Sequence, residues 1–339
     1  MTNQLKTRLL LTLSALLFSM PAMALTLKIA TVTPEGSQWM KDMRSSAKEI
    51  KERTEGRVKI KYYGGGIKGD DAKVLAQIRI GQLQGGAFTP SALAAIYPDL
   101  NIYGMPLVFN SAEEAAYVRG HLDSRLQRGL EDAGFVNFGF AAGGFANLTS
   151  NEPVKSLADM KGKRVWVPEG DAMSRASMQA LSLMPVTLPL TDVLTGLQTG
   201  LIDIVAIPPI VALLMQWHTK VKFVSELPLV YTFGFMAIDK RAFDKISTQD
   251  QAIVREVMGA TYRKFDKANL VDNKGAFDAL INSGIERIEF GAEEFAEIRS
   301  VLLKSNRQLG EKGEFSLCLY DEMMRHIEEY RSEHIAAGE

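Results

Sequence analysis

The chain has 339 residues, 46% of them hydrophobic and 23% charged, with a formal net charge of −1 at pH 7. These proportions describe a folded globular chain and argue against a long disordered one; without a Lys/Arg-rich patch they also argue against nucleic acid as a partner. One cysteine, Cys318, allows no internal disulfide, and His121, His218, His326 and His334 lack ligand spacing, so no zinc or iron site and no other cofactor is implied.

Lys6 and Arg8 precede an apolar run over residues 9–20 and then Pro21-Ala22-Met23-Ala24. Charged, apolar and small-residue regions in that order read as a cleavable secretory signal over 1–24, placing the mature chain in the periplasm with Leu25 at its start. The run is too short for a hydrocarbon core that needs about 20 residues, and the later apolar stretch 201–217 is broken by Asp203, Pro208 and Pro209. Residues 25–339 exceed what one core organises, so two lobes are expected.

Residues 25–32 (LTLKIATV) read as a buried strand, 38–53 as a helix, and 57–63 (RVKIKYY) as a half-exposed strand, which together make a parallel βαβ unit. A glycine-rich loop, 64–71, leads to a helix carrying Val74, Leu75, Ile78 and Leu83, and 85–89 is a small-residue strand that lets a ligand approach the backbone. Further strands are expected at 135–142, 165–168, 201–207 and 233–238, with a connection between lobes at 147–151. From 251 to about 282 the pattern holds few breakers; a helix of about 30 residues spans roughly 45 Å, enough to brace both lobes. The expected fold is therefore α/β and two-lobed, with a hinge, an interlobe ligand cleft and a long bracing helix. Lobe 1 takes 25–147 and 230–282, lobe 2 takes 148–229, and C-terminal helices over 283–339 pack across both.

Enzyme signatures are missing. The glycines match neither a phosphate loop nor a dinucleotide fingerprint, and GxSxG, HExxH and a Cys/His pairing do not occur. Asp70-Asp71 reads as a turn or cap rather than a catalytic pair.

Several segments in this order and spacing resemble the periplasmic substrate-binding subunit of tripartite ATP-independent periplasmic (TRAP) transporters: Leu27-Lys28-Ile29-Ala30, Gly69-Asp70-Asp71, Asp159-Met160-Lys161-Gly162 before Trp166-Val167-Pro168, and 197–203 (LQTGLID). The resemblance covers nearly the whole mature chain. It implies a non-enzymatic binding protein of the DctP type that captures a small-molecule ligand between its lobes and delivers it to membrane permease subunits driven by an ion gradient.

Departures from that family are informative. Many members place an arginine in the strand after Lys-Gly to pair a substrate carboxylate; this chain has Trp166 there. Other pocket positions that the resemblance marks as polar or aromatic hold Ala146, Leu190 and Ile207-Pro208. An indole at 166 offers a flat wall and one N–H donor, suited to an apolar or amphipathic ligand. Glu169 is a cleft candidate that favours an amine or hydroxyl, and Phe88, Thr89 and Trp39 sit where lobe 1 meets the cleft; Asp171 reads as a helix cap. Met173, Met178, Met184 and Met215 read as plain core as readily as a soft lining. A rival reading keeps an organic acid and pairs it with Arg79, Arg164 or Arg175. A third makes the chain a partner-only protein docking another periplasmic protein.

Overall fold

The computed structural model describes residues 24–336. The leader expected over 1–24 lies outside the described residues apart from Ala24. No helix among the described residues is long and apolar enough to cross a membrane.

In β1 (Leu25–Ala30) alternate residues Leu27 and Ile29 are fully buried, as one face of a pleated strand requires. Helix α1 (Gln38–Arg53) starts where the Ser37 hydroxyl accepts the Met40 N–H at 3.2 Å, and it buries Met40, Met43 and Ile50 along one stripe. β2 (Val58–Tyr63) returns parallel to β1. The Asp70 carboxylate then caps α2 (Asp71–Arg79), and β3 (Gly85–Phe88) pairs with the other edge of β1. After α3 (Ala112–Asp132) come β4 (Phe135–Asn137) and β5 (Ala141–Ser150). The second lobe follows with β6 (Arg164–Pro168), α4 (Ala172–Ala180), β7 (Met184–Leu188), α5 (Val193–Thr199), β8 (Ile204–Ile207) and β9 (Phe223–Ser225). The chain returns through β10 (Val230–Asp239) and runs into α6 (Thr248–Asn282). It ends with β11 (Glu286–Ile288), α7 (Ala292–Glu311) against α4, and α8 (Leu317–Ala336) against α3.

One sheet path, β2-β1-β3-β10-β5-β8-β6-β7, runs through both lobes. Its middle is an antiparallel ribbon of the two ten-residue strands β5 and β10. Phe235–Ile238 of β10 pair with β3 in the first lobe, while Asn147–Ser150 of β5 pair with β8 in the second. Where the strands face each other the register slips between Thr232 and Phe233, the local bend that a bulge introduces.

Helix α6 grips this ribbon with one polar stripe. Asp266 Oδ1 accepts the Ala142 N–H at 2.8 Å, Asn269 Nδ2 donates to the Ala142 carbonyl at 2.6 Å, and Asn273 Nδ2 donates to the Gly143 carbonyl at 2.8 Å. Spacings of three and four residues put all three side chains on one face. Gly144 lies beneath them at φ +86°, where a Cβ would come 2.5 Å from Asn273 Nδ2. Buried Arg119 adds a second tie, donating to Asp266 at 2.6 Å, Asp123 at 2.9 Å and the Tyr231 hydroxyl at 3.0 Å.

Several expected boundaries move. The strand expected at 135–142 is two strands, broken at Gly139 with φ +129°. The connection between lobes expected at 147–151 is made by a strand, since residues 147–150 are the second half of β5. Its loop-like residues are satisfied inside the sheet: Asn147 Nδ2 donates to the Ser225 carbonyl at 2.8 Å and Thr149 Oγ1 to the Val205 carbonyl at 3.1 Å. β8 begins at Ile204 rather than 201, because Gly200 closes α5 in the left-handed region at φ 68°. The bracing helix is 35 residues, about 52 Å, longer than the sequence pattern suggests.

Candidate functional site

Parallel strands of an open α/β sheet present ligands at their C-terminal ends. β1, β3, β6, β7 and β8 do so here, and between the lobes they surround a cavity of about 370 Å³ whose walls include Val32, Thr89, Pro168, Leu190 and Ile207. From the cleft the cavity continues into the second lobe. It follows the sheet face that carries Leu148, Val165 and Ala206 and passes beneath Leu181, at the C-cap of α4, and Ile298 and Leu302 of α7. Strand alternation explains the geometry: Val165 and Trp166 are neighbours on β6 but belong to different core clusters on opposite faces of the sheet.

Trp166 is 5% exposed. Its ring meets Trp217 edge-on with centroids 5.5 Å apart, and its Nε1–H donates to the Leu188 carbonyl at 3.0 Å. The indole therefore belongs to the wall, and the N–H expected to face a ligand is already committed to the protein.

At the outer end the lining is acidic. Asp70, Asp71, Glu169 and Asp171 all border the cavity, with hydroxyls from Thr89, Ser91 and Ser174 among them. Thr89 Oγ1 donates to Asp71 Oδ2 at 3.3 Å, and Asp171 caps α4 by accepting the Ser174 N–H at 2.9 Å and its hydroxyl at 2.6 Å. Burial, with the nearby charges of Asp70 and Glu169, pushes the Asp71 carboxyl up to about 6 against the Thr89 hydrogen bonds that lower it, and burial raises Asp171 too. No lysine, arginine or histidine lines the cavity among the described residues.

Of the residues expected to line the cleft, Trp166, Glu169, Ala146, Leu190, Ile207 and Thr89 border this cavity. Phe88, Trp39 and Pro208 do not. Phe88 is 4% exposed and packs in the first lobe's core, its ring folded back over Gly86. Trp39 turns toward the bracing helix, where its Nε1–H donates to Asn269 Oδ1 at 3.1 Å. Pro208 is buried at the N-cap of the short helix Pro209–Leu214. None of the alternative bases reaches the cavity: Arg164 is bound by both guanidinium edges to Asp203 at 2.7 and 2.8 Å, while Arg79 and Arg175 are exposed on their helices. Met178 joins the lining, Met173 and Met215 pack against core clusters, and Met184 is exposed.

The inner wall escaped the sequence reading. Ile298 and Leu302, four residues apart on α7, give the same signal as any buried helix stripe, and Leu181 and Phe290 carry no polar mark.

A family model described as bacterial extracellular solute-binding protein, family 7 (DctP), matches residues 29–312. The 2,3-diketo-L-gulonate-binding periplasmic protein YiaO of Escherichia coli is 26% identical over 243 residues, 70% of this chain and 73% of that protein. The C4-dicarboxylate-binding periplasmic protein DctP of Rhodobacter capsulatus is 24% identical over 317 residues, 88% of this chain and 91% of that one. Among solved structures, a TRAP periplasmic solute binding protein from Xanthobacter autotrophicus with bound beta-D-galacturonate superposes with a TM-score of 0.80 at 20% identity, covering 89% of this chain and 99% of that one. That likeness bears out the two-lobed α/β fold. The matched family and these relatives are solute-binding receptors, not enzymes.

Proposed function

This chain belongs to the bacterial extracellular solute-binding proteins of family 7, the periplasmic receptors of TRAP transporters, and we propose that it captures an amphipathic molecule with an extended apolar body. The receptor is exported through a leader over 1–24, closes its lobes around the ligand and hands it to membrane permease subunits. Rotation about the β5/β10 ribbon, with α6 as the brace, closes the cleft, and the ligand favours the closed state by its differential contacts there.

One observation carries this reading: a cavity that penetrates the apolar core of a lobe and has acids, but no base, among its lining residues. A carboxylate placed in the cleft faces Asp71 and Glu169 with no countercharge, at a cost of several kcal/mol, on the order of that for any unpaired buried charge. An apolar body gains about 25 cal/mol for each Å² removed from water. Ala146, Leu190 and Ile207 supply the surface for it, and Trp166 the rigid wall.

A second reading, a small hydrophilic acid, is favoured by the ligands in the relatives' names, 2,3-diketo-L-gulonate and C4-dicarboxylate. The two readings separate in a thermal-shift series. Decanol and decanoate are expected to raise the melting temperature, with succinate and galacturonate leaving it unchanged. Strong stabilisation by succinate and none by the ten-carbon probes would reject the amphipathic ligand.

A further inference from the structure

Behind the inner end of the cavity lies a second hollow, an open groove of about 390 Å³ walled by Phe109, Leu227, Phe290, Phe295, Arg287 and Arg299. Leu227 and Phe290 line both spaces, so cavity and groove stand back to back across these two side chains. Both are half-buried and sit on irregular backbone, Leu227 after β9 and Phe290 after β11, outside any strand ladder. Side chains on such segments turn aside at little cost to the sheet.

Arg299 follows Ile298 on α7. Ile298 faces the cavity while Arg299 faces the groove, so one helix turn joins an apolar wall to a cation. The charge lacks a carboxylate partner among the described residues. Its terminal nitrogen donates to Asn110 Oδ1 at 2.6 Å, and the buried Glu114 nearby is committed to Arg331 and the Asn110 N–H. Arg287, in the same groove, is paired with Glu226 and Glu289, whose carboxylates also line it, so Arg299 is the cation there without a salt bridge among the described residues. Burial and the charge of Arg331 act against the Arg299 cation and outweigh the support it receives from the charge of Glu114, and an anion in the groove adds to that support.

We propose that this groove is the head-group subsite of the ligand cavity: an elongated amphiphile lies with its apolar chain in the cavity, passes between Leu227 and Phe290, and sets an anionic head on Arg299. The inference rests on the amphipathic reading above and adds the sign and position of the polar end. With acids and no base lining the cavity, and a guanidinium without a salt-bridge partner in the groove behind, the anionic end is set toward Arg299. A carboxylate, sulfonate or phosphate head suits the planar fork, which donates two parallel N–H bonds.

Calorimetric titration of the purified protein with decanoate, decanol and succinate tests it. Decanoate is expected to bind at least about tenfold tighter than decanol. Arg299→Gln is expected to bring decanoate down to the decanol level and to leave decanol affinity unchanged in a variant whose circular-dichroism spectrum is that of the folded parent, and Arg299→Lys to recover part of the difference because it keeps the charge. Equal binding of decanoate and decanol by the unmodified protein, or an acid preference that survives Arg299→Gln, overturns the head-group subsite while the apolar cavity stands. Binding of succinate alone overturns the amphipathic reading and this inference with it.

Discussion

Where the cavity meets the cleft, its border is Asp70, Asp71, Glu169 and Asp171 with the hydroxyls of Thr89 and Ser174; at its inner end the border is Leu148, Val165, Ile298 and Leu302. Both ends belong to one space, yet they present different chemistry. The outer end takes residues from both lobes and lies at strand termini, the place where this architecture grips polar groups. The inner end lies within the second lobe, between its sheet and α7, where only shape and greasiness discriminate. On the proposed reading, selection for an apolar body is thus a property of one lobe, and closure over the acids at the mouth is a property of two.

The hardest way to break this comparison is to restore a cation at the outer end. Trp166→Arg is expected to cost about 3–5 kcal/mol of stability in denaturant unfolding, because it removes the ring packed on Trp217 and the bond to the Leu188 carbonyl and buries a charge. No gain in succinate binding is expected. A variant as stable as the parent that takes up succinate shows that the indole is not structural.

Next in size is obstruction of the inner end. Ala206 is half-buried on β8 and lines that stretch, so Ala206→Phe is expected to weaken decanol binding about 100-fold, with a stability change within about 1–3 kcal/mol. Unaltered affinity in a titration shows that the ligand occupies the cleft alone.

The smallest effect sharpens the outer end. The Asp71 carboxyl is raised to about 6, so the folded chain holds this proton more tightly than the unfolded one. The resulting destabilisation is absent below the unfolded value, near 4, and grows as pH rises through about 6. Asp71→Asn is expected to raise stability by about 1–2 kcal/mol at neutral pH and hardly at all at pH 4. Equal effects at the two pH values, seen in parallel melts, would show that burial and the neighbouring acids do not oppose its charge.

Legibility in the sequence followed the same division. The βαβ start, the turn or cap at Asp70-Asp71 and the bracing helix are written in period and cap chemistry, so they are visible locally. Trp166, Ala146, Leu190 and Ile207 were found only because a resemblance marked their positions. The strand character of 147–150 is not legible locally, because Asn147, Thr149 and Ser150 are polar residues whose partners lie in the sheet. Arg299 and the inner wall were invisible for a different reason: a hollow behind a helix depends on which side chains fail to fill space, and periodicity records only which face is apolar.

The most direct test of the central claim is to purify the protein from its native host, extract it with organic solvent and identify the released molecule by mass spectrometry. A molecule with a long apolar body and a single polar head is the predicted result. Recovery of a small hydrophilic acid, such as a dicarboxylate or a sugar acid, in stoichiometric amount would contradict it.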